Sequence, residues 1–93
     1  MPTPHILLTY TYVPDILERR GRYRDAHLAI LADLHVHGQV VMAGATGDPV
    51  DSAVFVFAGD DPQAARDFVA VDPYVAAGLV VAHTIVPWTV VVP

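Results

Sequence analysis

The chain has 93 residues, 54% of them hydrophobic and only 16% charged, with a formal net charge of −5. Five arginines and no lysine leave no broad basic face for nucleic-acid phosphates, so that class of partner is excluded. The absence of cysteine excludes disulfides, thiolate nucleophiles and zinc–thiolate sites.

This length predicts one domain spanning residues 1–93. So apolar a composition in so small a body predicts apolar surface that needs a partner. No apolar run reaches the roughly 18 residues of a membrane span, and no basic region followed by an apolar run marks a signal peptide. The expectation is a soluble cytoplasmic protein without membrane contact, its acidity serving solubility.

"HILLTYTY" at 5–12 is β-branched, aromatic and apolar, and reads as a strand. Pro14 and Asp15 then open an amphipathic stretch to His37, closed by Gly38. Proline and acid suit a helix start, and histidine followed by glycine suits its end; Gly21 inside it allows a break or a late start. "QVVMAGATGD" at 39–48 is a second strand and "SAVFVFAG" at 52–59 a third. "DDPQAARDFVAV" at 60–71 has helical spacing of Ala64, Ala65, Phe68 and Val69, with Asp60 or Asp61 as cap. "PYVAAG" adds a short turn, and "VVAHTIVPWTVVV" at 80–92 is the last strand. Its internal Pro87 predicts a sheet edge or a bulge.

The order β-α-β-β-α-β predicts an α+β, ferredoxin-like fold: a four-stranded antiparallel sheet with both helices on one face. The third and last strands are apolar on both faces, whereas a sheet with one wet face alternates. A homodimer with sheets packed face to face, in the manner of an α+β barrel, is therefore expected.

Within the first helix Tyr23, His27, Ile30, Leu31 and Leu34 form one stripe, which turns His27 towards the sheet. A buried imidazole needs a hydrogen-bond partner. Asp72 is the acid in a distinctive place, after the apolar end of the second helix and before Pro73, which biases it out of the α region. A carboxylate on an imidazole fixes its tautomer and raises its basicity. The plainer reading makes Asp72 a turn former and His27 a structural histidine. Arg20 and Arg24 flank the same helix side and would favour an anionic ligand, while Ser52 and Tyr74 are candidate pocket groups. His35 and His37 point about 200° apart on a helix and do not converge on a metal. "AGATGDP" at 43–49 lacks the lysine and spacing of a phosphate loop. No cofactor motif is legible.

"RxxxRxxHLxxL" (Arg20, Arg24, His27, Leu28, Leu31), Gly38, "AG" at 43–44 and "DPYVAAGLV" at 72–80 together resemble the YciI-like, or YCII-related, family over nearly the whole chain. The resemblance implies a dimeric ferredoxin-like α+β barrel and a proposed active site with a His–Asp pair, carried here by His27 and Asp72. The family includes a dehydrochlorinase acting on a chlorinated hydroquinone, and the wider barrel superfamily includes muconolactone isomerases and small monooxygenases. Most members have no established reaction. Many members have proline after "AG" and a longer loop before the third strand; here Ala45 follows and the loop to Asp51 is short. Substrate identity is therefore not inherited.

The functional expectation is a cofactor-independent enzyme in which His27, held by Asp72, moves a proton on a small anionic or phenolic cyclic substrate in a lyase-like or isomerase-like step. Arg24, with Arg20, would bind its carboxylate or phenolate. The rival is a non-catalytic small-molecule-binding or accessory dimer, in which His27 and Asp72 make a structural hydrogen bond.

Overall fold

A computed structural model describes residues 2–93. The chain runs β1 (Thr3–Tyr12), α1 (Ile16–Arg19), α2 (Gly21–Val36), β2 (Val40–Thr46), β3 (Ser52–Ala58), α3 (Gln63–Val71), α4 (Pro73–Ala76) and β4 (Val80–Val90). The four strands form one antiparallel sheet in the order β2-β3-β1-β4, the ferredoxin-like arrangement that the element order predicts.

Strand alternation places the core. Ile6, Leu8, Tyr10 and Tyr12 of β1 pair with Phe57, Phe55, Ala53 of β3 and with β4 on one face, and all seven are buried. Ile16, Ala65, Phe68 and Leu79 close over them from the helical side. Full burial of each large side chain stabilises the fold by roughly 1.5–3 kcal/mol. The opposite face carries Leu7, Thr9, Val54 and Val86 and is only partly covered; Val86 and Trp88 are 43% and 42% exposed.

The expected first helix is divided. One turn, α1, ends at Arg19 with Arg20 as its C-cap, and α2 starts at Gly21, the residue of low helix propensity. The stripe on α2 does face the sheet: His27 is buried, and Tyr23, Ile30, Leu31 and Leu34 pack against the core while partly exposed. Asp61 accepts the Gln63 backbone N–H at 3.0 Å at the start of α3. Pro87 lies in the edge strand β4, where a missing N–H costs no ladder bond on the open side. No helix among the described residues is long and apolar enough to cross a membrane.

Candidate active site

The site begins with a local event. Asp72 leaves α3 with an extended backbone, ψ 121°, because Pro73 disfavours another helical residue before it. Its side chain then caps α4: Oδ1 accepts the Tyr74 backbone N–H at 3.1 Å. The cap aims the carboxylate into the core rather than along the helix face, and Asp72 is 1% exposed. A carboxylate so deep costs several kcal/mol unless its lone pairs are used. They are used by two donors distant in sequence. His27 Nδ1–H donates to Oδ1 at 2.7 Å, and the Tyr10 hydroxyl donates to Oδ2 at 2.8 Å. All three neighbours are donors, the complement of an acceptor-only carboxylate.

That bond assigns the His27 tautomer. With Nδ1 donating, the neutral ring carries its lone pair on Nε2. Nε2 has no protein partner, yet no fully enclosed side-chain nitrogen or oxygen among the described residues lacks one. Nε2 therefore opens onto the cavity that His27 lines. The Tyr74 ring stacks on the imidazole, centroids 3.8 Å apart and planes 4° from parallel, so both the plane and the rotation of the ring are set. Phe55 and Phe68 approach it at 6.2 and 6.0 Å.

The cavity beside Nε2 has a volume of about 240 Å³. A dry cavity of about 150 Å³ holds benzene, so one substituted ring fits here. Tyr12, Phe55 and Tyr74 wall it, and Ala43, Ala45 and Ala53 leave room at its base. Arg20 lines it from the α1–α2 junction and Arg24 from α2. Neither guanidinium has a carboxylate partner among the described residues, although the chain carries ten acids. Two cations left free beside an apolar cavity suit an anion.

Burial pushes the Tyr10 hydroxyl well above its usual range, and the charge and hydrogen bond of Asp72 add to this. Burial also raises Tyr12, with Tyr74 and Asp72 adding and Arg20 opposing. Tyr74 is raised by burial against the pull of Arg20 and Arg24. All three phenols thus keep their protons at neutral pH and serve as donors.

Of the residues singled out in the sequence, His27, Asp72, Arg20, Arg24 and Tyr74 come together here. Ser52 does not: it pairs with Thr11 and Thr46, and its neighbour Ala53 is the one that lines the cavity. Adjacent strand residues face opposite sides. Tyr10 and Tyr12 were not singled out. Their signal is a pair of polar-tipped aromatics continuing an otherwise aliphatic buried face, Ile6 and Leu8. His35 and His37 donate Nδ1–H to the carbonyls of Val40 and Asp33, at 2.9 and 2.8 Å, at the end of α2.

The YCII-related domain profile matches residues 5–89. The chain belongs to the YCII-related family. This YCII-related chain is also similar to a solved structure of 5-chloro-2-hydroxyhydroquinone dehydrochlorinase from Burkholderia phenoliruptrix, in complex with 2,5-dihydroxybenzoquinone. The two are 24% identical, the match covers 90% of this chain and 92% of that one, and the TM-score is 0.74. At that identity the likeness speaks for the shared α+β fold. No curated protein matches the chain.

Proposed function

We propose that this YCII-related protein is a cofactor-independent proton-transfer enzyme acting on a small anionic or phenolic ring. One observation carries the reading: His27 Nδ1–H is tied to buried Asp72 at 2.7 Å while Nε2 opens onto a cavity lined by two unpaired arginines. Nε2 takes a proton from a ring carbon or hydroxyl. The imidazolium that forms is stabilised by the Asp72 carboxylate, whose own position does not change. Arg24, with Arg20, holds the carboxylate or phenolate of the substrate. The electron pair released from the broken bond becomes a double bond. It either expels a leaving group with its pair, a lyase-like outcome, or is reprotonated elsewhere by His27, an isomerase-like one. Positioned proton transfer supplies typically ~10²–10⁴-fold, enough for an activated ring and not for an unactivated one. The similar dehydrochlorinase with a bound quinone supports a ring substrate.

The active form is proposed to be a homodimer through the open sheet face.

The first assay is chloride release from 5-chloro-2-hydroxyhydroquinone, run beside a set of phenols and cyclic ketones in D₂O with exchange read by proton NMR. His27→Ala is expected to lower whichever reaction appears by ~10²–10⁴-fold. Turnover equal in His27→Ala and the unmodified protein would remove His27 from the chemistry. Binding of the rings with neither release nor exchange would make the cavity a binding site instead.

A further inference from the structure

Proton removal at His27 leaves a question of charge. When a C–H bond beside a ring carbonyl is broken, the electron pair moves onto the carbonyl oxygen, which becomes an enolate. That oxygen needs a donor placed in advance. Tyr12 meets the requirements. It lines the cavity with His27 and is only 8% exposed. Its hydroxyl makes no hydrogen bond among the described residues, and since no fully enclosed polar side-chain atom there lacks a partner, it is not fully enclosed. Its ring is held edge-on between Tyr10 and Tyr74, both at 6.0 Å, and its backbone N–H is tied to the Asp51 carbonyl at 2.9 Å. A donor on a central strand moves little during reaction, unlike one on a surface loop.

We infer that the Tyr12 hydroxyl is the hydrogen-bond donor for the oxyanion that develops when His27 removes a proton. The inference rests on the proposed proton-transfer reading and deepens it: the substrate is a ring ketone, quinol or phenol whose reacting oxygen points at Tyr12. No proton leaves Tyr12; it donates a hydrogen bond throughout. Burial keeps the Tyr12 phenol protonated through neutral pH, so the donor is in place there. Strand β1 thereby presents two phenols two residues apart. Tyr10 holds the carboxylate of the dyad, and Tyr12 faces the substrate.

The test uses ligand binding, so it does not depend on turnover. The probes are 4-nitrophenolate, a stable ring oxyanion, and 4-nitrotoluene, its neutral counterpart of similar shape. Tyr12→Phe is expected to weaken 4-nitrophenolate by about 10–100-fold, the worth of a hydrogen bond to a charged group, and to leave 4-nitrotoluene unchanged. His27→Ala, which stops the proposed chemistry, is expected to retain the selectivity for the anion. Failure of His27 as a base therefore appears in the exchange assay and failure of Tyr12 in the binding assay. Equal loss of both probes in Tyr12→Phe would mean a packing role and overturn the inference. So would unchanged affinity for both, no uptake of 4-nitrophenolate by the unmodified protein, or selective loss in Tyr74→Phe instead.

Discussion

Asp72 takes three hydrogen bonds, from His27, Tyr10 and the Tyr74 backbone, one local and two made across the fold. The last is local and forms wherever the α3–α4 junction forms. The other two require strand β1 and helix α2 to be in place. Tyr10→Phe removes one donor and leaves Oδ2 buried without a partner, which is expected to cost about 1–3 kcal/mol at neutral pH. The pH dependence has a definite sign. Burial, then the Asp72 charge and hydrogen bond, hold the Tyr10 phenol above its ordinary 10.0 in the folded state. As pH rises past about 10, the unfolded chain releases a proton that the folded chain keeps. The unfolded state then binds fewer protons, so stability falls with rising pH. Tyr12 and Tyr74 are shifted the same way. Urea midpoints are expected to be flat from about pH 7 to 9 and to fall above about pH 10. In Tyr10→Phe they should start lower and fall less steeply. An alkaline limb as steep in Tyr10→Phe as in the parent would contradict the role given to this phenol.

The elements were largely legible because their signals are local. Strand β1 alternates, α3 carries an apolar face, and Pro73 stops it. The one predicted helix that became two was marked by Gly21, whose weak propensity decides only when the flanking turns are pulled to different places. Two glycines make opposite predictions at this scale. A Cβ on Gly21 meets nothing within 4 Å, so Gly21→Ala is expected to stabilise the protein by up to about 1 kcal/mol through reduced freedom of the unfolded chain. Gly47, in the β2–β3 turn, has φ +93°, and a Cβ there would lie 2.5 Å from Asp51 Oδ1 and 2.9 Å from the Pro49 carbonyl oxygen. Gly47→Ala is expected to cost about 1–3 kcal/mol. Thermal melts check both, since about 1 kcal/mol moves a domain of this size by roughly 4–8 °C. Shifts of the same sign would refute the pair.

At the scale of the molecule, all the helices' core contacts lie on one face of the sheet, and the other face keeps Met42, Val86 and Trp88 at 64%, 43% and 42% exposed. A second copy with its own open face would cover these without a third layer of chain. Sedimentation at micromolar concentration is expected to give a dimer, and Val86→Lys, which puts a charge on the edge strand of that face, is expected to give monomer. A monomeric unmodified chain would rule the pairing out. The fold itself was predictable at this scale, because right-handed crossovers admit few arrangements of this element order.

The sequence by itself determined what depends on neighbours along the chain: the periods of strands and helices, the proline that frees Asp72 from α3, and the helical stripe that turns His27 inward. The helical stripe and the Pro73 break already offer Asp72 as the partner of His27, and family likeness supports that pair. Only the tertiary structure decided which groups meet across long separations. His27 and Asp72 are 45 residues apart, and Tyr10 and Asp72 are 62 apart. It also decided that Ala53 rather than Ser52 lines the cavity, a matter of one residue of strand register. Periodicity reports which face a side chain occupies. Which carboxylate, phenol or guanidinium waits on the other side is set by how the elements pack, and that information is spread over the whole chain.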